Sequence, residues 1–272
     1  MPTTINPGAR PTNEATESAA AASVQSLFNS IAPTYDRLNH LLSFGLDRRW
    51  WRRTARVFAD VLARPEARIL DLCCGTGDMT RALLALRPNT YNVERTTYNA
   101  TLDAPEPIIG PGSPEPIIGL DFSHQMLSIA HAKFPSANVQ WVEADAMNLP
   151  YPDATFDLIT TAFGFRNLPN YATGLRELHR VLKPGGQLGI LECNQPSGLR
   201  GLGYNAYLHG VLPLVGGIVS GQFHAYRYLP ASIARFPRSP QMLAMLEDAG
   251  YTNPTWTGYF LHAAGLYRAT KA

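Results

Sequence analysis

Cysteine is scarce in this 272-residue chain: Cys73, Cys74 and Cys193 are the only three. They form no CxxC pair. That excludes a disulfide framework and a redox dithiol of that spacing, and it fits a reducing, cytoplasmic compartment. An excess of charge of one sign is also missing. Lys and Arg number 23 against 21 Asp and Glu, a formal net charge of +2, which gives no electrostatic ground for a nucleic-acid partner. No apolar run reaches the ~20 residues that span a bilayer; the longest, HGVLPLVGGIVSG over His209–Gly221, is too short. The N-terminus lacks the apolar centre of a secretory signal, and Glu14 and Glu17 are out of place in a transit peptide. No histidine pair stands with an acid at helical ligand spacing, so no metal is expected.

What is present is a chain with a real core, 45% hydrophobic. Residues 1–22, rich in Ala, Thr, Ser and Pro, read as a disordered tail and 23–272 as one domain. Helices are expected over Ser23–Ser30 and Asp47–Ala63. In the second, Arg48, Arg49, Arg52, Arg53 and Arg56 fall on one arc, and Trp50, Trp51, Thr54, Ala55 and Phe58 on the other. Two readings are open: a core helix with a solvated arginine face, or an interfacial helix in peripheral membrane contact through Arg48–Phe58.

From Ala67 the pattern alternates. ARILDL (Ala67–Leu72), IIGLD (Ile117–Asp121), NVQWVEAD (Asn138–Asp145), FDLITTAF (Phe156–Phe163) and GQLGILE (Gly186–Glu192) read as strands. Helices lie between them, one capped by Ser123 and running to Phe134, one over Tyr171–Leu182 stopped by Lys183-Pro184-Gly185-Gly186. A helix over Pro240–Ala249 and two strands turning around His262–Gly265 close the chain. The expected fold is α/β, a doubly wound, mostly parallel sheet with an antiparallel C-terminal edge.

The strongest local motif is Asp71-Leu72-Cys73-Cys74-Gly75-Thr76-Gly77-Asp78, a strand running into a glycine-rich turn and then a helix. Gly75 and Gly77 let the backbone approach a ligand closely. A dinucleotide site would want a third glycine where Thr80 stands, and Asp71 and Asp78 sit badly beside a pyrophosphate. They suit a ligand carrying an amine and a sulfonium. Asp121 ends its strand, where a carboxylate can take both hydroxyls of a ribose. It stands more than twice as far from Gly77 as the ~20 residues such units show, and the excess is a polar, proline-containing insertion over about 89–113. PEPIIG occurs twice, from Pro105 and from Pro114. Only the second copy runs into an Asp and a capped helix, so that copy is taken as the strand. Asp145-Ala146 ends the third strand, where a ring would lie across the crevice.

Together these positions resemble class I S-adenosylmethionine methyltransferases, a Rossmann-like fold. YDRLNHLLSFGLDRRWWR (Tyr35–Arg52), FGFRN (Phe163–Asn167), RVLKPGG (Arg180–Gly186) and YRYLPASIARFP (Tyr226–Pro237) narrow this. They resemble the ubiquinone/menaquinone biosynthesis C-methyltransferase family from about Val24 to the C-terminus, outside the insertion. The resemblance implies S-adenosyl-L-methionine as co-substrate, held at Thr76, Asp121 and Asp145-Ala146. It implies a prenylated quinol facing Tyr35, Arg166 and Asn167. The DLCCGTGD spelling looks most like the phototroph branch, which methylates demethylphylloquinol or demethylmenaquinol. Asp47 stands where many relatives have His.

Methyl transfer from a sulfonium is an in-line displacement, so positioning dominates. A quinol ring carbon becomes nucleophilic once a neighbouring hydroxyl is deprotonated, and Arg166, permanently charged, suits the resulting oxyanion. His209 and His224 flank the apolar stretch and are candidates to relay the proton. The same chemistry on a benzoquinol stays open. So does a non-catalytic donor-binding subunit. A nicotinamide oxidoreductase would need a working Tyr-x-x-x-Lys, and the chain's one match is Tyr267–Lys271. A homo-oligomer is compatible with the sequence.

Overall fold

The computed structural model describes residues 8–88, 114–135, 137–196, 198–211 and 223–272, with the backbone alone at 199, 200, 209, 211 and 223–227. Chain order begins with α1 (Glu17–Ile31), α2 (Tyr35–Leu42), α3 (Leu46–Val57) and α4 (Ala59–Leu62). Thr16 caps α1 by accepting from the Ala19 N–H. The helix therefore starts six residues before the expected Ser23 (23 − 17 = 6). The tail expected over 1–22 is corrected from Gly8 onward: the Ala9 N–H donates to Leu168 O at 2.8 Å, and Ala9 and Ala20 are buried. The single helix expected over Asp47–Ala63 breaks at Phe58, whose φ of −108° and ψ of 19° are not helical.

The sheet follows: β1 (Ile69–Leu72), α5 (Asp78–Leu84), β2 (Ile117–Asp121), α6 (His124–Lys133), β3 (Val139–Glu143), β4 (Phe156–Ala162), α7 (Tyr171–Val181) and β5 (Leu182–Cys193). Then come α8 (Gly198–Ala206), a turn of π-helix over Tyr207–Val211, α9 (Phe223–Arg235), α10 (Ser239–Asp248), β6 (Tyr251–Tyr259) and β7 (Ala264–Lys271). The strand order is β3-β2-β1-β4-β5-β7-β6. The first five run parallel, and only β7 opposes them, inserted between β5 and β6. The expected antiparallel C-terminal edge is there, β7 pairing antiparallel with both β5 and the outermost strand β6. Lys183–Gly186 differs from expectation. It lies within β5 as a bulge: Leu182 pairs with Phe156, and register resumes at Leu158 with Gln187.

β1 and β2 are buried along their whole length, as strands covered on both faces must be. Alternate side chains feed two cores. Leu70, Ile118, Ile159 and Leu188 meet α7 and α10. Ile69, Ile117 and Leu158 meet Trp51, Ala55 and Phe58 of the α3–α4 segment. This settles the side of α3 that carries Trp51 and Phe58: it is core, and only the arginine arc is exposed.

The second PEPIIG copy supplies β2, in register Ile69 with Ile117. The first lies outside the described residues. Arg87, buried, ties together the stems on either side of that stretch, donating to Pro65 O and Glu115 O at 3.0 and 2.6 Å.

The order of strand addition reverses between β1 and β4, which remain parallel: β2 and β3 lie to one side of β1, β4 and β5 to the other. A doubly wound sheet opens its crevice at the carboxyl ends of the strands flanking that reversal.

Candidate active site

Two adjoining cavities fill this crevice, both lined by Phe28, Tyr35, Cys73, Gly75, Ala162 and Phe163. The smaller one also takes Asp121, Asp145, Ala146 and Asn167. The larger, ≈ 200 Å³, takes Thr76, Asp78, Arg166, Cys193, Tyr204 and Tyr228. The carboxyl tips of five neighbouring strands and the helices carrying Phe28, Tyr35, Tyr204 and Tyr228 bring these groups together.

The turn after β1 is built on left-handed backbone. Cys73, Gly75 and Gly77 have φ of 52°, 55° and 87°. At Gly77 a Cβ would come within 2.7 Å of the Trp141 ring, so glycine is required both for torsion and for space. The Gly75 N–H donates to Asp121 Oδ2 and the Ser123 N–H to Oδ1, each at 2.9 Å. Burial nevertheless pushes the Asp121 carboxyl up to about 6, those N–H donors pulling the other way. Thr76 Oγ1 donates to Asp36 of α2 at 2.5 Å, and Lys133 Nζ bridges Asp36, Thr76 and Asp78 at 2.8, 3.1 and 3.3 Å. The turn is thereby tied to α2 and α6.

Asp71 departs from expectation. It is fully buried, accepts from Thr80 at 2.6 Å and Thr160 at 3.1 Å, and lines neither cavity. Desolvation raises it to about 7. It braces the turn from beneath. Gly77 likewise shapes the turn without lining a cavity.

The acceptor side centres on Arg166, in a 3₁₀ turn over Phe165–Asn167 just after β4. Its guanidinium is buried against Glu192 at the end of β5. Nη1 stands 3.3 and 3.2 Å from the two carboxylate oxygens and also donates to Phe163 O; Nε donates to Ser232 of α9 at 3.3 Å. Burial opposes the charge, but the Glu192 carboxylate and the other groups around the guanidinium together outweigh it, and Arg166 stays firmly protonated. Burial pushes Glu192 up, while Arg166 and the backbone N–H groups of Arg166 and Cys193 restrain it. Among the described residues Nη2 has no protein acceptor, so it remains for a ligand. Tyr228 OH donates to Asn167 Oδ1 at 2.8 Å. Burial raises the phenols of Tyr35 and Tyr228 to about 12, Arg166 pulling each back.

Glu192, Ser232 and Tyr228 were not singled out from sequence. Glu192 had a signal: like Asp121, it is an acid at the carboxyl tip of a strand. Asp47, buried, accepts from His40 Nδ1 at 2.5 Å and lines the larger cavity. The side chains of His209 and His224 lie outside the described residues. Tyr267 and Lys271 are spent structurally: Tyr267 OH donates to Asn194 and Lys271 Nζ to His179 O.

The model of the ubiE/COQ5 methyltransferase family matches residues 15–271. The chain belongs to this family. It is an S-adenosyl-L-methionine-dependent C-methyltransferase. It is similar to the demethylmenaquinone methyltransferase of Thermus thermophilus, 42% identical over 83% of this chain and 91% of the relative. It is also similar to the ubiquinone/menaquinone biosynthesis C-methyltransferase of Geotalea daltonii, 34% identical over 91% and 96%. Among solved structures, a SAM-dependent methyltransferase from Aquifex aeolicus superposes with a TM-score of 0.52 at 18% identity, covering 80% of this chain and 89% of that one. That likeness carries the fold. Among the described residues no helix is long and apolar enough to cross a membrane.

Proposed function

We propose that this protein methylates a ring carbon of a prenylated demethylnaphthoquinol, demethylmenaquinol or its phytyl counterpart demethylphylloquinol. Residues from Glu17 to the C-terminus form the catalytic unit, with 89–113 as an insertion. The observation that carries the reading is Arg166: a buried guanidinium, clamped by Glu192 and Ser232, lining a cavity that adjoins a second one rich in donor-binding groups. The relative from Thermus thermophilus, named for demethylmenaquinone, points the same way.

In this reading Asp121 accepts the ribose hydroxyls of the donor, and Asp145 and Ala146 border its adenine ring. Gly75, Thr76 and Asp78 surround its methionyl end, with Gly77 and Asp71 shaping the turn beneath. The quinol ring lies on the other side of the Tyr35–Cys73–Phe163 junction. Loss of a hydroxyl proton places charge on the ring. Arg166 Nη2 meets the oxyanion, and its charge costs no reorganisation because Glu192 already holds it in place. Tyr35, which lines both cavities, completes the polar wall, and Asn167, oriented by Tyr228, borders it from the smaller cavity. The carbon's electron pair takes the methyl group, the S–CH₃ bond breaks, and the ring proton leaves to restore aromaticity. Arginine is too weak an acid to serve as the base; it stabilises.

The isoprenoid tail requires contact with a membrane surface, and nothing in the chemistry requires more than one copy. The Geotalea daltonii relative, named for both quinones, keeps a benzoquinol as the second reading. Incubation with labelled donor and chemically reduced demethylnaphthoquinol tests the proposal, with the oxidised quinone and a reduced demethylbenzoquinol alongside. Label confined to the reduced naphthoquinol supports it. Label entering the benzoquinol alone replaces it with the second reading.

A further inference from the structure

The chain exposes two large apolar side chains at one corner beside the larger cavity. Leu41 and Phe44, at the end of α2, are 52% and 79% exposed. Phe44 also has a φ of 53°, followed by Gly45 at 70°. A bulky residue in left-handed backbone is strained by about 1–2 kcal/mol. A glycine would relieve that strain, as the next position illustrates. The strained residue nevertheless leaves most of an aromatic ring in solvent, with the Tyr207 ring as its aromatic neighbour.

The corner borders the opening. Leu42 and Ser43, between the two exposed side chains, line the larger cavity. The Phe44 ring lies 5.8 Å from that of Tyr207, another lining residue, and Tyr207 OH donates to Leu42 O at 2.5 Å. Four residues beyond Phe44 the arginine face of α3 begins. Arg48, Arg49, Arg52 and Arg56 are exposed, and among the described residues none is ion-paired. Arg53 lies over the Tyr259 ring. Asp47, the acid on the same helix, is buried and held by His40. A 12-residue helix is about 18 Å long, so this unneutralised charge lies mostly within two Debye lengths of the corner.

We propose that the Leu41–Phe44 corner inserts into an anionic lipid bilayer, with the α3 arginines held at the headgroups, so that the cavity opens toward the membrane. This rests on the lipid-quinol reading above and gives it a specific docking surface. It also replaces the interfacial use of Trp51 and Phe58, which the core already occupies. Exposed apolar groups beside an array of cations are what an anionic interface rewards: the apolar groups leave water while the cations keep their charge near lipid phosphates. A second copy of the chain, equally cationic at this corner, would be repelled by it.

The test is vesicle co-sedimentation of the full chain with phosphatidylglycerol/phosphatidylcholine vesicles and with phosphatidylcholine alone. Binding is expected to the anionic vesicles, weakened by about 0.5 M salt. Leu41→Ser with Phe44→Ser should lower partitioning at least tenfold. Arg49→Ala with Arg52→Ala should lower it roughly twenty-five-fold, about fivefold for each charge. Phe44→Gly should lose lipid binding while raising the thermal midpoint, which separates docking from folding. Equal binding by the Leu41/Phe44 variant overturns the proposal. So does binding that ignores lipid charge, or self-association through this corner with no vesicle binding. Turnover on a short-chain, water-soluble demethylnaphthoquinol is read in parallel and should not change in the Leu41/Phe44 variant. If that substrate is inert with wild-type protein while the vesicle results hold, the quinol reading falls and the docking surface stands.

Discussion

Arg166 Nη1 lies 3.2 Å from the Glu192 carboxylate, and the two side chains are 7% and 0% exposed. The pair joins the ends of β4 and β5. A buried pair of this kind adds little net stability, because desolving both charges offsets their attraction. Its effect is to fix where the guanidinium points.

Glu192→Gln keeps the shape and removes the countercharge. Breaking a buried pair costs up to about 3–5 kcal/mol, and the amide should keep part of it. The thermal midpoint is expected to fall and turnover to drop by an order of magnitude or more. Affinity for adenosylhomocysteine should stay constant, measured by calorimetry.

Arg166→Ala should lower kcat by about 10²–10³, the usual cost of losing an oxyanion donor, with donor affinity again preserved. Arg166→Lys should not restore it. A lysine cannot reach Ser232, Glu192 and a ligand oxygen at once as the planar fork does. Steady-state kinetics on the reduced quinol checks both.

Asp71 and Asp121, raised by burial to about 7 and about 6, fix the sign of a pH effect. In the unfolded chain an aspartate titrates near ~3.9. Between these values the native state holds more protons, so the stability from these neutral carboxyls is complete below about pH 4. It is lost as pH rises through about 6 and 7. Asp71→Asn should flatten that decline in thermal midpoint. Donor binding runs oppositely: ribose hydroxyls favour ionised Asp121, so adenosylhomocysteine should bind more tightly above about pH 6 and release a proton near it. Calorimetry in buffers of different ionisation enthalpy reads that proton.

Gly77→Ala should destabilise by about 1–3 kcal/mol, from a φ of 87° and a Cβ 2.7 Å from the Trp141 ring. Because that turn also presents Gly75 and Thr76, donor affinity should fall with the midpoint, unlike in the Arg166 variants.

Tyr228→Phe removes the O–H that orients Asn167. A rise in KM of several-fold with little change in midpoint is expected, consistent with about 1 kcal/mol for one hydrogen bond.

Most elements were legible because their signals are local. The alternation around ARILDL, the Ser123 cap and the two left-handed glycines after β1 act within a few residues of chain. The misreadings were non-local. Lys183–Gly186 ends α7 at Val181 as its spelling expects, yet it does so as a bulge inside β5, between the Leu182–Phe156 and Gln187–Leu158 pairs. Residues 8–22 have a tail's composition, yet Leu168 and Pro169 give Ala9 and Arg10 hydrogen-bond partners.

By itself the sequence determined the order of strands and helices, the glycine turn, and the acids and arginine at strand ends. Short-range torsional preference and hydrophobic period decide such features. Tertiary structure alone decided that Asp71 braces the turn, that Glu192 and Ser232 aim Arg166, and that Trp51 and Phe58 are core. Those outcomes depend on which elements become neighbours, and burial and charge pairing take effect only once distant segments exclude water together.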